Sequence, residues 1–329
     1  MQPQTIRTQS RLAFTDETLG MLLGLTGVAI FSLTLPFTRL AVADLDPTFA
    51  AMARAVGAAL LAAVWLGMRG APLPPRAAWP ALASVAGGCV IGFPLLSSLA
   101  MRALPASHGA VLVGILPLAT ALCAALRGHE RPSAAFWASA LLGSALVIGF
   151  ALYQGGGALH AADLALFGAV LAAAWGYAEG GRLAQTLGGQ QVISWALLLS
   201  LPVALPLTIL QLWQHGAAIG AAGLPAWLGF AYTCVFSMFV GFFFWYRGMA
   251  LGGVARVGQV QLVQPFLTLL GAALVLGEPL RAGHVAFALA VIAVVAVGRR
   301  TAVQRRAGQA VAPPAVLPSF AKEAGKCRS

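Results

Sequence analysis

Long apolar runs separated by short polar stretches dominate the chain, and ten of them can be marked, at about 19–38, 47–68, 79–101, 104–126, 134–152, 161–181, 190–213, 224–246, 253–276 and 281–298. A hydrocarbon core about 30 Å thick takes roughly 20 apolar residues per helix, so each run has the length of a transmembrane helix. The runs are continuous. Barrel strands would alternate apolar and polar positions over about ten residues, which excludes a transmembrane barrel. The pattern predicts an all-α membrane protein with ten transmembrane helices.

One stretch occurs twice. Pro117 to Glu130 reads PLATALCAALRGHE and Pro265 to Glu278 reads PFLTLLGAALVLGE, with seven of fourteen positions identical at an offset of 148. Matches of Leu and Ala carry little weight in so apolar a chain, but the shared Pro, Thr and Glu mark an internal duplication. The chain then divides into an N-terminal tail 1–18, a five-helix repeat 19–152, a second repeat 161–298 and a basic tail 299–329. Five is odd. The second copy must therefore enter the membrane upside down relative to the first, which is a recurring architecture of secondary transporters. Pro36, Pro94, Pro117, Pro202, Pro206 and Pro265 interrupt spans, and kinks beside a cavity are expected there.

Composition agrees with a lipid solvent: 60% of residues are hydrophobic, 9% are charged and mean hydropathy is +0.86. Lysine and arginine stay cytoplasmic. With the N-terminus inside, 16 of the 20 fall on the inner side, Arg39, Arg102 and Arg281 on the outer side, and Arg54 within a span. Residues 1–18 lack a small-residue cleavage site, so the first span is expected to remain. The net charge of +11 is mostly this orientation signal plus the tail, and points to no nucleic acid. Residues 299–329 show no apolar period and are expected to be a disordered cytoplasmic tail. Cys89, Cys123, Cys234 and Cys327 have no metal or disulfide spacing.

These residues resemble the drug/metabolite transporter superfamily and, within it, the EamA-like ten-helix transporters. The resemblance covers about 19–298 and rests on the two five-helix repeats, the proline-to-glutamate ends of spans 4 and 9 with LGE at Leu276 to Glu278, and Arg54 in span 2. It implies two inverted EamA-like repeats in a bacterial inner-membrane carrier. Both termini would face the cytoplasm, a central cavity would be lined by spans 1–4 and 6–9, and the activity would be export of amino acids or related small metabolites. The first copy departs from the pattern, reading RGHE where the family usually has an apolar residue, Gly and Glu, so Glu130 is expected to be held differently from Glu278.

Enzyme motifs are absent: no HExxH, DDxxD or GxSG occurs, and no GxxxxGK[ST] supplies an ATP engine. No cofactor and no metal are expected, and active transport must be secondary. Of nine acids only Glu179 falls clearly within a helix, which makes it the candidate for proton coupling. Arg182 lies three residues on, so a structural ion pair is the simpler account. Glu130 and Glu278 close equivalent span ends, where a carboxylate reaches the N-terminus of the following helix.

Counting along each span places Ser32, Phe93, Trp175, Ser237, Gln261 and Gln264 near the midplane, with Arg54 in the outer half of span 2. Arg54, Ser32, Phe93, Trp175, Gln261 and Gln264 are the candidate substrate-binding residues. Gln261 and Gln264 are three apart and so share a helix face, serving either as a wall for substrate or as interhelical amide bonds. Arg54 either clasps a carboxylate through its guanidinium or turns outward to pair with Asp44 or Asp46. Two function classes stand side by side: a small-metabolite carrier, with amino acids among the substrates, and a flippase or flippase subunit for lipid-linked substrates. A second copy of the chain, forming a homodimer, is an open possibility beside the bilayer itself.

Overall fold

The computed structural model describes the backbone of residues 16–126, 130–131, 134–154, 156, 159–252, 257–258, 260–300 and 304–305. The N-terminal residues 1–15, most of the basic tail and the side chain of Glu130 lie outside the described residues. The described chain forms ten helical rods: α1 (Thr18–Ala41), α2 (Pro47–Arg69), α3 (Arg76–Ala103), α4 (Ala106–Leu126), α5 (Ala134–Gln154), α6 (Ala161–Leu187), α7 (Gly189–Gly220), α8 (Leu224–Gly252), α9 (Gln261–Leu276) and α10 (Ala282–Arg300). Seven of these, α1–α4 and α6–α8, are long and apolar enough to cross a membrane, and α5, α9 and α10 contain shorter apolar helices. The only extended pairing among the described residues joins Glu130–Arg131 to Gln304–Arg305.

The helices pack in an order that respects the duplication. Helix α1 lies against α8 and α3 against α6, while α2 meets α7, α4 meets α9 and α5 meets α10. Exchanging the first five helices for the last five maps this set of contacts onto itself. Backbone irregularities repeat as well: α3 carries a π-helical segment at Ala86–Gly92, and α8 carries one at Tyr232–Val240. A shift of 148 residues lays the first onto 234–240.

Proline accounts for most of the breaks near mid-helix, because its missing N–H leaves a carbonyl one turn earlier without its partner. Pro36 follows the interruption of α1 at Leu33, Pro117 follows the break of α4 at Gly114 and Ile115, and Pro265 follows the 3-10 turn Gln261–Val263 that opens α9. Pro94 follows the π segment of α3. The expected kinks beside a cavity are thus found at four prolines. Pro202 and Pro206 instead sit on the exposed side of α7, whose one non-helical residue is His215.

Glycine lets α1 and α8 approach until their backbones touch. A Cβ placed on Gly248 would stand 2.8 Å from both the carbonyl oxygen of Gly20 and the nitrogen of Gly24. Backbone cannot swing aside as a flexible side chain does, so overpacking here is expensive. We expect Gly248→Leu to lower the thermal unfolding midpoint of detergent-solubilised protein, with a loss of about 1–3 kcal/mol. An unchanged midpoint would show that this crossing is looser than drawn.

Candidate functional site

The irregular segments of the helices converge on a central cavity. It is lined by Phe31 and Thr34 of α1, Arg54 of α2, Cys89, Phe93 and Pro94 of α3, Leu116 of α4, Ala173 and Tyr177 of α6, Ser237, Met238 and Phe242 of α8, and Gln264 of α9. The space between these atoms totals about 420 Å³, yet only about 20 Å³ of it admits the centre of a water molecule. That is room for about one water. The cavity is nearly closed, and a metabolite would need the helices to part.

Arg54 is the chemical centre of this cavity. It is only 2% exposed. Its Nη1 donates to Thr38 Oγ1 at 3.4 Å, and its Nε has no hydrogen-bond partner. No carboxylate among the described residues lies within ion-pair distance of it. The outward pairing with Asp44 or Asp46 is not found: Asp44 accepts from the Gly223 amide at 2.9 Å, and Asp46 caps α2 by accepting from the Thr48 and Phe49 amides at 2.7 and 3.1 Å. Thr34 Oγ1 and Ser237 Oγ are 2.8 Å apart and join α1 to α8 across the lining.

A second, larger space opens at one end of the bundle, where about 570 Å³ admits the centre of a water molecule against about 20 Å³ in the central cavity. Among its walls are Arg39 at the end of α1, Leu104 beyond α3, Ser107 and His108 at the start of α4, Asp163 at the start of α6, Glu278 beyond α9, and His284 at the start of α10. Helix α1 reaches this vestibule by its C-terminus and its counterpart α6 by its N-terminus; α4 and α9 likewise present opposite ends. The two copies therefore run past the vestibule in opposite directions.

Here Glu278 corrects an expectation. Its carboxylate does not turn to the helix that follows it; it accepts from the Ala106 and Ser107 amides of α4, both at 2.8 Å, in the other copy. Gly277, at φ +67, ends α9 in the left-handed conformation that glycine adopts without strain and swings Glu278 off the helix axis. Arg39 Nε stands 3.4 Å from Glu278, and Arg39 Nη1 donates to the Leu104 and Met101 carbonyls. The C-terminal ends of α1, α3 and α9 and the N-terminus of α4 are thereby bolted together.

A model of the EamA-like transporter family matches the chain twice, over residues 18–152 and 160–298. The chain belongs to that family. It is 48% identical over 283 residues to "Uncharacterized transporter YdeK" of Bacillus subtilis (strain 168), covering 86% of this chain and 98% of that one. A solved crystal structure with 21% identity superposes with a TM-score of 0.55, covering 84% of this chain and 95% of its own, and shares the fold. Family membership and the apolar helices make this a multi-pass membrane transporter of the drug/metabolite type rather than an enzyme.

Of the residues singled out from the sequence, Arg54, Phe93, Ser237 and Gln264 line the central cavity of this EamA-like transporter. Ser32 is buried beside it and donates to the Val28 carbonyl at 2.7 Å. Gln261 is buried in the 3-10 turn with no hydrogen bond at Nε2, one turn away from the lining. Trp175 is 36% exposed and is not among the residues that line the cavity. Glu179 is 3% exposed and forms the spacing-predicted ion pair with Arg182 at 3.0 Å. Two-residue spacing points Trp175 and Tyr177 to different sides, and Tyr177 is the one that lines the cavity; Thr34 escaped the midplane count, because a hydroxyl within a helical run has no signature until the facing helix is known.

Proposed function

We propose that this transporter is a secondary carrier that exports small carboxylate-bearing metabolites, amino acids among them, across the bacterial inner membrane. In this reading its ten helices all span the bilayer with both termini in the cytoplasm, and the two inverted repeats rock to expose the central cavity alternately to each side. The observation that carries the reading is the guanidinium of Arg54, buried in the cavity wall without an acidic partner among the described residues. An uncompensated charge in so dry a place is expensive unless a ligand supplies the counter-charge. A carboxylate does so with two parallel hydrogen bonds. Thr34, Ser237 and Gln264 add hydroxyl and amide groups for the rest of a polar substrate, and Phe31, Phe93, Tyr177 and Phe242 bound it with apolar surface.

The test is counterflow in proteoliposomes, with labelled amino acids, other organic acids, amines and neutral sugars offered in parallel. Carboxylates should exchange and compete with one another, while amines without a carboxylate should not. Exchange of amines or sugars alone would overturn the substrate class. Movement of a lipid-linked sugar in place of all of these would favour the flippase reading.

A further inference from the structure

The vestibule holds a buried histidine–carboxylate pair that the sequence alone does not disclose. His108, in the first turn of α4, and Asp163, in the first turn of α6, are 4% and 0% exposed, and His108 Nε2 stands 2.7 Å from Asp163 Oδ1. Asp163 Oδ2 accepts from the His160 amide at 3.0 Å, so this carboxylate is fixed from both sides. The His108 ring packs on Phe150 of α5 at 5.1 Å, and His284 of α10 packs on the same ring at 5.7 Å. Both His108 and Asp163 line the vestibule.

We propose that the His108–Asp163 pair, rather than Glu179, is the coupling site at which a proton entering from the vestibule drives this carrier. A carboxylate against Nε2 keeps the neutral ring protonated at that nitrogen, leaving Nδ1 to take a proton from a hydronium ion, whose O–H bond breaks to leave water, and give an imidazolium–carboxylate pair. No other atom changes its bonds. The charged and titratable groups facing the pair are Arg39 from α1, Glu278 from beyond α9, Arg281 and His284 from α10, and His160 before α6; the α3 end, Ala103 to Pro105, adds none to the lining. With the histidines neutral, Arg39 and Arg281 balance Asp163 and Glu278. One proton on His108 tips the vestibule to net positive, one residue beyond the Ser107 amide that holds Glu278. Proton occupancy and the bolt across four helix ends thus share the first turn of α4. Glu179 has neither feature, being held by Arg182 on its own helix.

The inference rests on the carrier reading, and the experiment separates the two. Proteoliposomes preloaded with a ¹⁴C-labelled mixture of the common amino acids are given an inward proton gradient or none. An inward gradient of about one pH unit supplies about tenfold of driving force per proton. The ratio of gradient-driven to symmetric-pH efflux should approach that for wild type and for Glu179→Gln, and fall to about one for His108→Gln and Asp163→Asn. A ratio kept by a folded His108→Gln protein overturns the proposal. If wild type moves no label, the amino-acid reading fails, and two measurements without substrate decide the proton site. In ¹⁵N-histidine protein in nanodiscs, one ring, missing from His108→Gln, should change protonation between roughly pH 5 and 8. Hydrogen exchange over Ala106–Val113 should then differ between wild type and His108→Gln at the acid end only. A ring in one state throughout, or exchange alike at both ends, overturns it.

Discussion

Arg54→Gln is expected to abolish carboxylate transport while leaving the protein folded, and to leave its thermal midpoint equal or higher. Hydrogen bonds to a charged group are each worth about 1.5–3 kcal/mol when the partner is present, and 1.4 kcal/mol is tenfold in affinity, so losing the two parallel bonds should cost at least roughly 100-fold. Removing a buried charge that has no acidic partner among the described residues relieves desolvation, which is why stability should not fall with activity. Arg54→Lys keeps the charge but not the planar fork, and should retain part of the affinity. Competition assays on both variants are the check. Carboxylates that compete against Arg54→Gln as strongly as against wild type would leave the guanidinium a purely structural role, one that Thr38 alone is poorly placed to explain.

Glu278→Ala carries the second large effect, and it falls on stability. The substitution strips the Ala106 and Ser107 amides of their acceptor and leaves Arg39 without its carboxylate. Losing an N-cap acceptor costs about 0.5–2 kcal/mol, and a second amide and the ion pair bring the sum to roughly 2–3 kcal/mol. The thermal midpoint in detergent should drop clearly, with Glu278→Gln intermediate because an amide oxygen still accepts. Substrate preference should stay the same. A variant of normal midpoint with altered preference would move Glu278 from the bolt into the substrate path.

The LGE turn shows how far a motif could be read. The stretch it closes, Pro265 to Glu278, matches Pro117 to Glu130 at an offset of 148 and exposed the duplication, and the closing glutamate marked a span end. Which amides that carboxylate meets was not legible, because Ala106 is 172 residues away and nothing local distinguishes one exposed helix start from another. His108 and Asp163 were passed over for the same reason. Each sits close to a span end, where a charged side chain normally reaches headgroups and water, and only the packing of α4, α5, α6 and α10 turns both inward.

What the sequence determined by itself was everything set by the solvent and by local covalent geometry. Lipid requires long apolar helices, so the ten runs were visible as composition. Proline removes one N–H wherever it falls, so the breaks in α1, α3, α4 and α9 were foreseeable from single residues. A lone arginine inside an apolar run pointed to the cavity before any coordinate did. Tertiary structure alone decided which side chains face each other across helices: that Arg54 finds Thr38 and, among the described residues, no acid, that Gln264 but not Gln261 reaches the cavity, and that Trp175 is not part of its lining. Midplane depth can be counted along one helix. Azimuth cannot, because when nearly every position is apolar no polar stripe marks the buried face, and the small residues at crossings such as Gly248 against Gly20 and Gly24 set the rotation of each helix instead.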